Sequence, residues 1–204
     1  HTLGIYFEAR MAKIFLLGFI SGFPWVLIGT CLSLWLKEDG LSRSTIGWAG
    51  LIFGVYAINF LWAPLIDKLK IPFLTKKFGP RKSWVLLCQT MILIGLFLWS
   101  YLAPSENLLL IIAVGLLIST FSATQDVAID AFRIELAESY EEEAMAVGAA
   151  VAVIGWWSGF KIGGILSLYL AKLFQIAGYE NYWQITFLIL GVLIILMNIG
   201  LMFV

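Results

Sequence analysis

Long apolar runs separated by short polar gaps dominate this chain of 204 residues. A helix needs about 20 apolar residues to cross the hydrocarbon core of a bilayer. The pattern predicts six such spans, at Ile14–Leu36, Ile46–Ile66, Ser83–Leu102, Leu108–Asp130, Ala144–Leu170 and Gln184–Val204. We therefore predict an all-α integral membrane protein, with a cytoplasmic or interfacial segment at residues 1–13 and a six-transmembrane-helix bundle over residues 14–204.

Composition supports this fold class and narrows the chemistry. The chain is 61% hydrophobic and only 13% charged, which is more apolar surface than a soluble domain of this length could bury. Cys31 and Cys88 lie singly in apolar runs, and the only histidine is His1. Because no cysteine–histidine cluster has ligand spacing, we expect no metal centre and no cofactor. We expect membrane lipids around the spans and no nucleic acid partner.

The basic residues predict the orientation of the spans. Nine lysines and arginines lie on one side of the predicted bundle and three on the other, with Lys161 inside the fifth span. Cytoplasmic loops carry the excess of basic residues, so both termini are predicted to be cytoplasmic. Acidic residues weigh little in this rule. Those that follow the fourth span are interpreted as a solvated cytoplasmic loop: Glu135, Glu138 and Glu141–Glu143.

Two aspartates near the end of the fourth span are the most informative feature of the chain. Asp126 and Asp130 are four residues apart and share one helical face. Carboxylates inside an apolar helix are costly unless they are paired, hydrated or protonated, and they often mark proton or solute pathways. The alternative is structural, because Asp67, Arg81, Lys82 and Arg133 are available as partners at the same side of the membrane. Both interpretations stay open, with Asp126 the better proton candidate because it is deeper.

Three other polar side chains lie within spans. Lys161 is predicted near the middle of the fifth span, where it would contact an anionic group of a solute, pair with a carboxylate elsewhere in the protein or snorkel. Asn59 and Gln89 are predicted to form hydrogen bonds between helices, with contact to solute as the alternative for either. Gly155, Gly159 and Gly163 recur every four residues and predict a close helix contact.

The segment between the second and third spans carries a loop motif. Asp67-Lys68 ends the second span, and Gly79-Pro80-Arg81-Lys82 opens the third. The arrangement resembles the loop signature of the major facilitator superfamily, Gly-x-x-x-Asp-(Arg/Lys)-x-Gly-x-(Arg/Lys)-(Arg/Lys). Ala63 replaces the first glycine, and residues 70–77 are inserted. The resemblance implies a conformational latch made of Asp67, Lys68, Gly79, Arg81, Lys82 and Arg133.

Two further elements narrow the resemblance. Phe60-Leu-Trp-Ala-Pro-Leu-Ile-Asp67 and Gln125-Asp126-Val-Ala-Ile-Asp130-Ala are similar to segments of muropeptide permeases of the AmpG type, in the peptide/acetyl-coenzyme A branch of that superfamily. The resemblance covers the chain from about Ile5 to its end and corresponds to the N-terminal half of a two-half transporter. It implies a partner C-terminal half, the bacterial inner membrane, and import of anhydro-muropeptides with protons. Gln125 joins the proton or substrate candidates through this element.

Other functions are weaker matches to the sequence. Another solute of the same branch, such as a coenzyme A thioester or a peptide, is the alternative within transport, and a non-transport scaffold is the alternative outside it. The Gly-x-Gly-Asp element of intramembrane aspartyl proteases is absent, as is the Asp-Gly-x-x-Ala-Arg element of membrane phosphotransferases. We therefore do not expect an enzyme.

Overall fold

The computed structural model describes residues 2–137 and 142–204. Within these residues, six helices are long and apolar enough to cross a membrane. We name them α1 to α6 in chain order: Ala9–Glu38, Arg43–Leu61, Pro80–Trp99, Pro104–Ala137, Glu142–Ile176 and Tyr182–Leu201. Three short helices lie outside the spans, at Thr2–Ile5, Ala63–Lys68 and Leu74–Phe78. The predicted all-α fold with six spans is confirmed.

The helices extend beyond the predicted spans at several ends. α4 has 34 residues and α5 has 35, because both continue through polar residues on the side where α1 begins. Glu135, Glu142 and Glu143 are therefore helical rather than part of a loop, which corrects their interpretation from sequence. Glu138 and Glu141 lie outside the described residues.

α2 is the least regular span. It contains two 3₁₀ stretches, Gly50–Phe53 and Asn59–Leu61, and it was predicted as one helix as far as Ile66. The helix is instead interrupted at Trp62 and resumes at Ala63–Lys68 with Pro64 in its first turn. Proline fits the first turn of a helix because it has no N–H to donate, so it favours a new start at this point.

α1 changes its winding after an internal proline. Pro24 lies in the α-helical part, Ala9–Trp25, and is followed by a π-helical stretch, Val26–Cys31, before the α-helix resumes at Leu32. Proline removes a backbone hydrogen bond from a helix interior, and π-helical turns are often found next to such interruptions. The change of winding in α1 therefore follows directly after Pro24.

Glycines bring α1 and α5 into backbone contact. A Cβ atom on Gly22 would lie 2.1 Å from the carbonyl oxygen of Trp156, and one on Gly159 would lie 2.3 Å from that of Phe19. Such distances leave no room for any side chain, so the two backbones meet directly. We call the four glycines that make these contacts the glycine seam: Gly18, Gly22, Gly155 and Gly159. Gly163, predicted with them, instead faces the ring of Phe23.

The remaining spans complete the bundle around α1 and α4. α3 packs along α4, and α6 packs on α3. Near the end of the bundle where α1 ends, Trp35, Trp99 and Phe187 form a buried aromatic cluster. Glu38 accepts hydrogen bonds there from Tyr182 and Trp183, which joins α1 to α6. The bundle therefore holds the interior faces of α1, α2, α4 and α5 next to one another.

Candidate functional site

Polar side chains of α4 connect it to α2 inside the bundle. The Tyr56 hydroxyl donates to Ser122 Oγ at 2.6 Å, and Trp62 Nε1 donates to Thr124 Oγ1 at 3.0 Å. Ser119 Oγ donates to the carbonyl oxygen of Ile52 at 2.7 Å. Because no water competes in the hydrocarbon region, these groups satisfy one another across the helix interface. We call the bonded side chains of this interface the α2–α4 polar contact.

Asp126 lies one helical turn beyond Ser122 and faces α1. Its carboxylate oxygen Oδ1 accepts a hydrogen bond of 2.5 Å from Ser21 Oγ. The residue is half-buried, and none of the salt bridges among the described residues involves it. The part of the site that the structure describes therefore offers this carboxylate neutral groups, the Ser21 hydroxyl and the nearby Trp25 indole, and no cation within salt-bridge distance.

The partner of Asp126 also defines its depth. Ser21 is about 18 Å along the helix axis from the start of α1 at Ala9 and about 26 Å from its end at Glu38. Asp126 is bonded to Ser21 and therefore lies in the interior of the membrane, nearer the middle than its position in the predicted fourth span indicated. The reason for the difference is that α4 continues to Ala137, seven residues past Asp130, where the span was predicted to end.

Gln125 fills a specific gap in α1. Pro24 has no N–H, so the carbonyl of Ile20, four residues earlier, lacks its usual helical donor. Gln125 Nε2 donates to that carbonyl at 3.0 Å, and the side chain is fully buried. Gln125 and Asp126 thus bind neighbouring positions of α1 immediately before its internal proline. The structure gives Gln125 a role in supporting the interrupted helix, and its predicted contact with solute stays a prediction.

Asp130 differs from Asp126 in both exposure and partner. Its side chain is 71% exposed, and its carboxylate lies 3.5 Å from a guanidinium nitrogen of Arg133, one turn along the same helix. The two aspartates therefore share a helical face, as predicted, but have different environments. Arg133 pairs with Asp130 and, among the described residues, makes no salt bridge with the loop between α2 and α3, although it was predicted as part of the latch.

The predicted latch residues form a smaller cluster than expected. Arg81 donates to Asp67 through one guanidinium nitrogen and to Glu135 Oε1 at 2.9 Å through Nε. We call these three residues the rim cluster; it joins the short helix Ala63–Lys68 that follows α2, the start of α3 and the end of α4. The α4 carboxylate in this cluster is Glu135, and neither Asp126 nor Asp130 takes that position.

The other latch residues have different environments. Lys82 donates to the carbonyl of Met202 at 3.0 Å and so contacts the end of α6. Lys68 is exposed. Gly79 has a φ of 83°, a left-handed conformation that glycine adopts without steric cost, and its N–H donates to Thr75. Gly79 therefore turns the chain between the helix Leu74–Phe78 and α3.

The remaining predicted site residues lie away from Asp126. Lys161 is exposed, and its ammonium lies 5.8 Å from the centre of the Trp157 ring. Since Gly159 faces α1, Lys161 two residues later lies on the opposite face of α5. Asn59 Nδ2 donates to the carbonyl of Ala123 at 3.4 Å, and Gln89 is buried in α3. Among the described residues, histidine, cysteine and acidic side chains form no group of three that could hold a metal ion.

Sequence reasoning missed three residues of this region. Ser21 and Tyr56 were not selected, and Glu135 was assigned to a loop. A signal for Tyr56 was available, because a tyrosine in the middle of an apolar span must find a hydrogen-bond partner. Ser21 gives no such signal, since a serine can bond to its own helix backbone.

Comparisons with known proteins agree with this architecture. The family model of the Major Facilitator Superfamily matches residues 14–204. The chain is 38% identical over 193 residues to "Putative transporter AmpG 4" of Rickettsia felis, covering 93% of this chain and 44% of that protein. It is 32% identical over 193 residues to "Anhydromuropeptide permease" of Escherichia coli strain K12, covering 94% of this chain and 38% of that protein.

A bundle of six membrane-spanning helices defines a multi-pass membrane protein, and the family match identifies its class. The chain belongs to the Major Facilitator Superfamily, a family of transporters and not of enzymes. It is related to the AmpG-type permeases and spans less than half the length of the relatives quoted above.

Proposed function

We propose that this chain is the N-terminal half of a secondary active transporter that imports anhydro-muropeptides together with protons across a bacterial inner membrane. The similarity to proteins named as AmpG transporters and as an anhydromuropeptide permease supports the solute class. A C-terminal half would complete the transporter, since members of this superfamily are built from two six-span halves around a central site.

The environment of Asp126 carries the proposal of proton coupling. An ionised carboxylate is stable in a membrane interior when a cation or several donors surround it. Asp126 has the hydroxyl of Ser21 as its bonded partner and a second carboxylate, Asp130, one turn away. A carboxyl group in such a place can accept a proton from one side of the membrane and release it to the other as the helices around it move.

Uptake by membrane vesicles tests the proposal in the full-length transporter. Labelled anhydro-muropeptide is supplied with and without an imposed pH gradient. We expect the gradient to drive accumulation in the wild type, and Asp126→Asn to abolish accumulation while exchange of labelled for unlabelled solute continues. Ser21→Ala is the matched control, because it removes the hydroxyl and leaves the carboxyl group. It should retain gradient-driven accumulation at a changed rate.

The outcomes separate the two parts of the proposal. Gradient-driven accumulation at the wild-type level in Asp126→Asn would exclude this residue as the proton carrier. If the transporter takes up a coenzyme A thioester or a free peptide and no muropeptide, the proposed solute is wrong. The proposed mechanism of proton-coupled transport would be unaffected. No uptake of any of the three by a correctly folded transporter would favour the scaffold alternative.

The orientation of the bundle is part of the same proposal. The excess of basic residues supports cytoplasmic termini and a cytoplasmic loop between α2 and α3. Ser105→Cys lies at the start of α4 and Thr75→Cys lies in the loop, so the two introduced thiols should react with impermeant reagents from opposite sides of the membrane. Reaction of both thiols from one side would contradict this topology.

A further inference from the structure

A cavity of about 220 Å³ lies between α1, α4 and α5, on the side of Ser21 where α1 begins. Its polar wall is formed by Asp130, Arg133 and Ser21, and its aromatic wall by Trp156. The volume is below the range of about 300–1,000 Å³ that encloses a whole drug-sized ligand. The cavity can therefore hold one functional group of a larger solute rather than the entire molecule.

Arg133 gives this cavity a cation whose hydrogen-bond donors are only partly used. One guanidinium nitrogen lies 3.5 Å from Asp130, at the outer limit of a hydrogen bond. Its Nε is buried and has no hydrogen-bond acceptor among the described residues. A guanidinium group offers five N–H donors in a planar fork that matches a carboxylate with two parallel hydrogen bonds. Among residues 2–137 and 142–204, the single long contact with Asp130 leaves most of that capacity unfilled.

We propose that this cavity binds a carboxylate of the transported solute through Arg133, and that Asp130 competes with the solute for the same guanidinium. The choice of a muropeptide carboxylate as the ligand rests on the proposed function; the preference of the cavity for an anion does not. Binding of the solute carboxylate displaces Asp130 from Arg133, and the return of Asp130 promotes release. Asp130 is suited to this exchange because it is exposed and held by only one long contact.

The cavity is also connected to the proposed proton site. Ser21 lines the cavity and donates to Asp126 at 2.5 Å. A solute carboxylate held at Arg133 would therefore share the cavity with the hydroxyl that is bonded to the proposed proton carrier. The shared cavity gives solute occupancy a short route to Asp126 through Ser21.

The charge preference of the cavity can be measured without any solute. Ala149 is exposed and lines the cavity, whereas Ala150 is exposed on the next position of α5 and does not line it. Ala149→Cys and Ala150→Cys are introduced separately into the full-length transporter. Their reaction rates are measured with negatively and positively charged methanethiosulfonates and normalised to a free thiol. Cys31 and Cys88 are buried, so their contribution should be small and is subtracted with the parent protein.

The expected result is a change at Ala149→Cys alone. Arg133→Gln should lower the ratio of negative to positive reagent rates by about fivefold or more, because a unit charge a few ångströms away is worth roughly 1 kcal/mol or more at a partly hydrated site. Asp130→Asn should raise the ratio. Ratios that stay the same in both variants, or that change equally at Ala150→Cys, would overturn the anion site.

Protection by the solute tests the second half of the proposal. Anhydro-muropeptide should slow the reaction at Ala149→Cys, while a muropeptide with amidated carboxyl groups should not. Arg133→Gln should weaken protection about tenfold or more, since a charge-assisted hydrogen bond contributes roughly 1.5–3 kcal/mol. Asp130→Asn should strengthen it. If the wild type accumulates muropeptide but the solute gives no protection, the cavity is not the solute site. If muropeptide is neither bound nor accumulated, the proposed function is wrong, and the reagent rates still decide whether the cavity prefers anions.

Discussion

Two helix pairs of this bundle, α1 with α5 and α2 with α4, are held together by different kinds of contact. The glycine seam brings two backbones together with no side chain between them. The α2–α4 polar contact instead holds its helices with separate hydrogen bonds between side chains, such as that from Tyr56 to Ser122. A seam of backbone contacts has one permitted geometry, whereas a set of side-chain hydrogen bonds can be exchanged one at a time.

One helix of each contact, α5 and α2, also differs in regularity, while α1 of the glycine seam has its own π-helical stretch at Val26–Cys31. α5 is α-helical from Glu142 to Ile176, but α2 contains two 3₁₀ stretches and is interrupted near Trp62. Short 3₁₀ stretches inside a helix have weaker hydrogen-bond geometry and often mark places that adjust. We infer that α1 and α5 form the fixed pair of this half and that α2 adjusts against α4. Asp126 lies on α4 and is bonded to the fixed pair through Ser21.

The largest expected effect is on the glycine seam. Gly22→Leu would place its Cβ 2.1 Å from the carbonyl oxygen of Trp156, and neither backbone can move without breaking helical hydrogen bonds. We expect a loss of about 3 kcal/mol or more of stability, or no folded protein. Folded yield by size-exclusion chromatography measures the effect. Gly164→Leu on α5 is the control, because nothing lies within 4 Å of its Cβ position. Equal yields of the two variants would show that the seam is not fixed.

The next largest effect is expected from replacing Gln125, which supports α1 where Pro24 interrupts its hydrogen bonds. Gln125→Leu leaves the carbonyl of Ile20 without a donor, which costs about 1–3 kcal/mol for a buried group. Pro24→Ala supplies a backbone N–H to the same carbonyl, so Gln125→Leu should cost about 1 kcal/mol less in that background. The free energy of unfolding of the four proteins gives the coupling directly. Additive effects of the two substitutions would mean that Gln125 stabilises the protein by another route.

The sequence predicted best those features of the fold that follow from a simple physical rule. The six spans, the turn at Gly79 and the close contact at Gly155 and Gly159 follow from apolar length, backbone conformation and small-residue spacing. The partner glycines Gly18 and Gly22 were not selected, because two glycines in an apolar helix do not reveal which neighbour approaches them. The helix lengths could not be predicted from hydropathy, since α4 and α5 continue into polar residues.

The candidate site could be predicted less completely than the fold. Asp126 was identified because a carboxylate in an apolar span is unusual. Its partner Ser21 lies 105 residues away in sequence, so only the packing of α1 against α4 reveals it. The rim cluster shows the same limit. The motif identified Asp67 and Arg81, but the α4 carboxylate is Glu135, because α4 is longer than its apolar segment.

Disruption of the rim cluster should change the balance of states more than stability. Arg81→Gln removes both ion pairs, and Asp67→Asn removes one of them. Exposed ion pairs contribute about 1 kcal/mol or less, which corresponds to a shift of up to about fivefold between inward- and outward-facing states. Distances between spin labels on this chain next to the rim cluster and on the proposed C-terminal half measure the shift in the full-length transporter. Lys82→Gln is the control, because Lys82 contacts α6 instead. Unchanged distances in Arg81→Gln would remove the latch from the mechanism.

The smallest expected effect is on a single bond of the α2–α4 polar contact. Tyr56→Phe removes the hydrogen bond to Ser122 and keeps the ring, whose centre lies 4.3 Å from that of Trp25. Hydrogen bonds between membrane helices contribute about 0.6 kcal/mol on average, so the free energy of unfolding should fall by roughly that amount. Tyr56→Leu also removes the ring contact and should cost about 0.5–1.5 kcal/mol more. If Tyr56→Phe instead costs as much as Gln125→Leu, this bond fixes α2 on α4 by itself. In that case α2 would be as firmly held as α5, and the distinction between a fixed pair and an adjustable one would have to be abandoned.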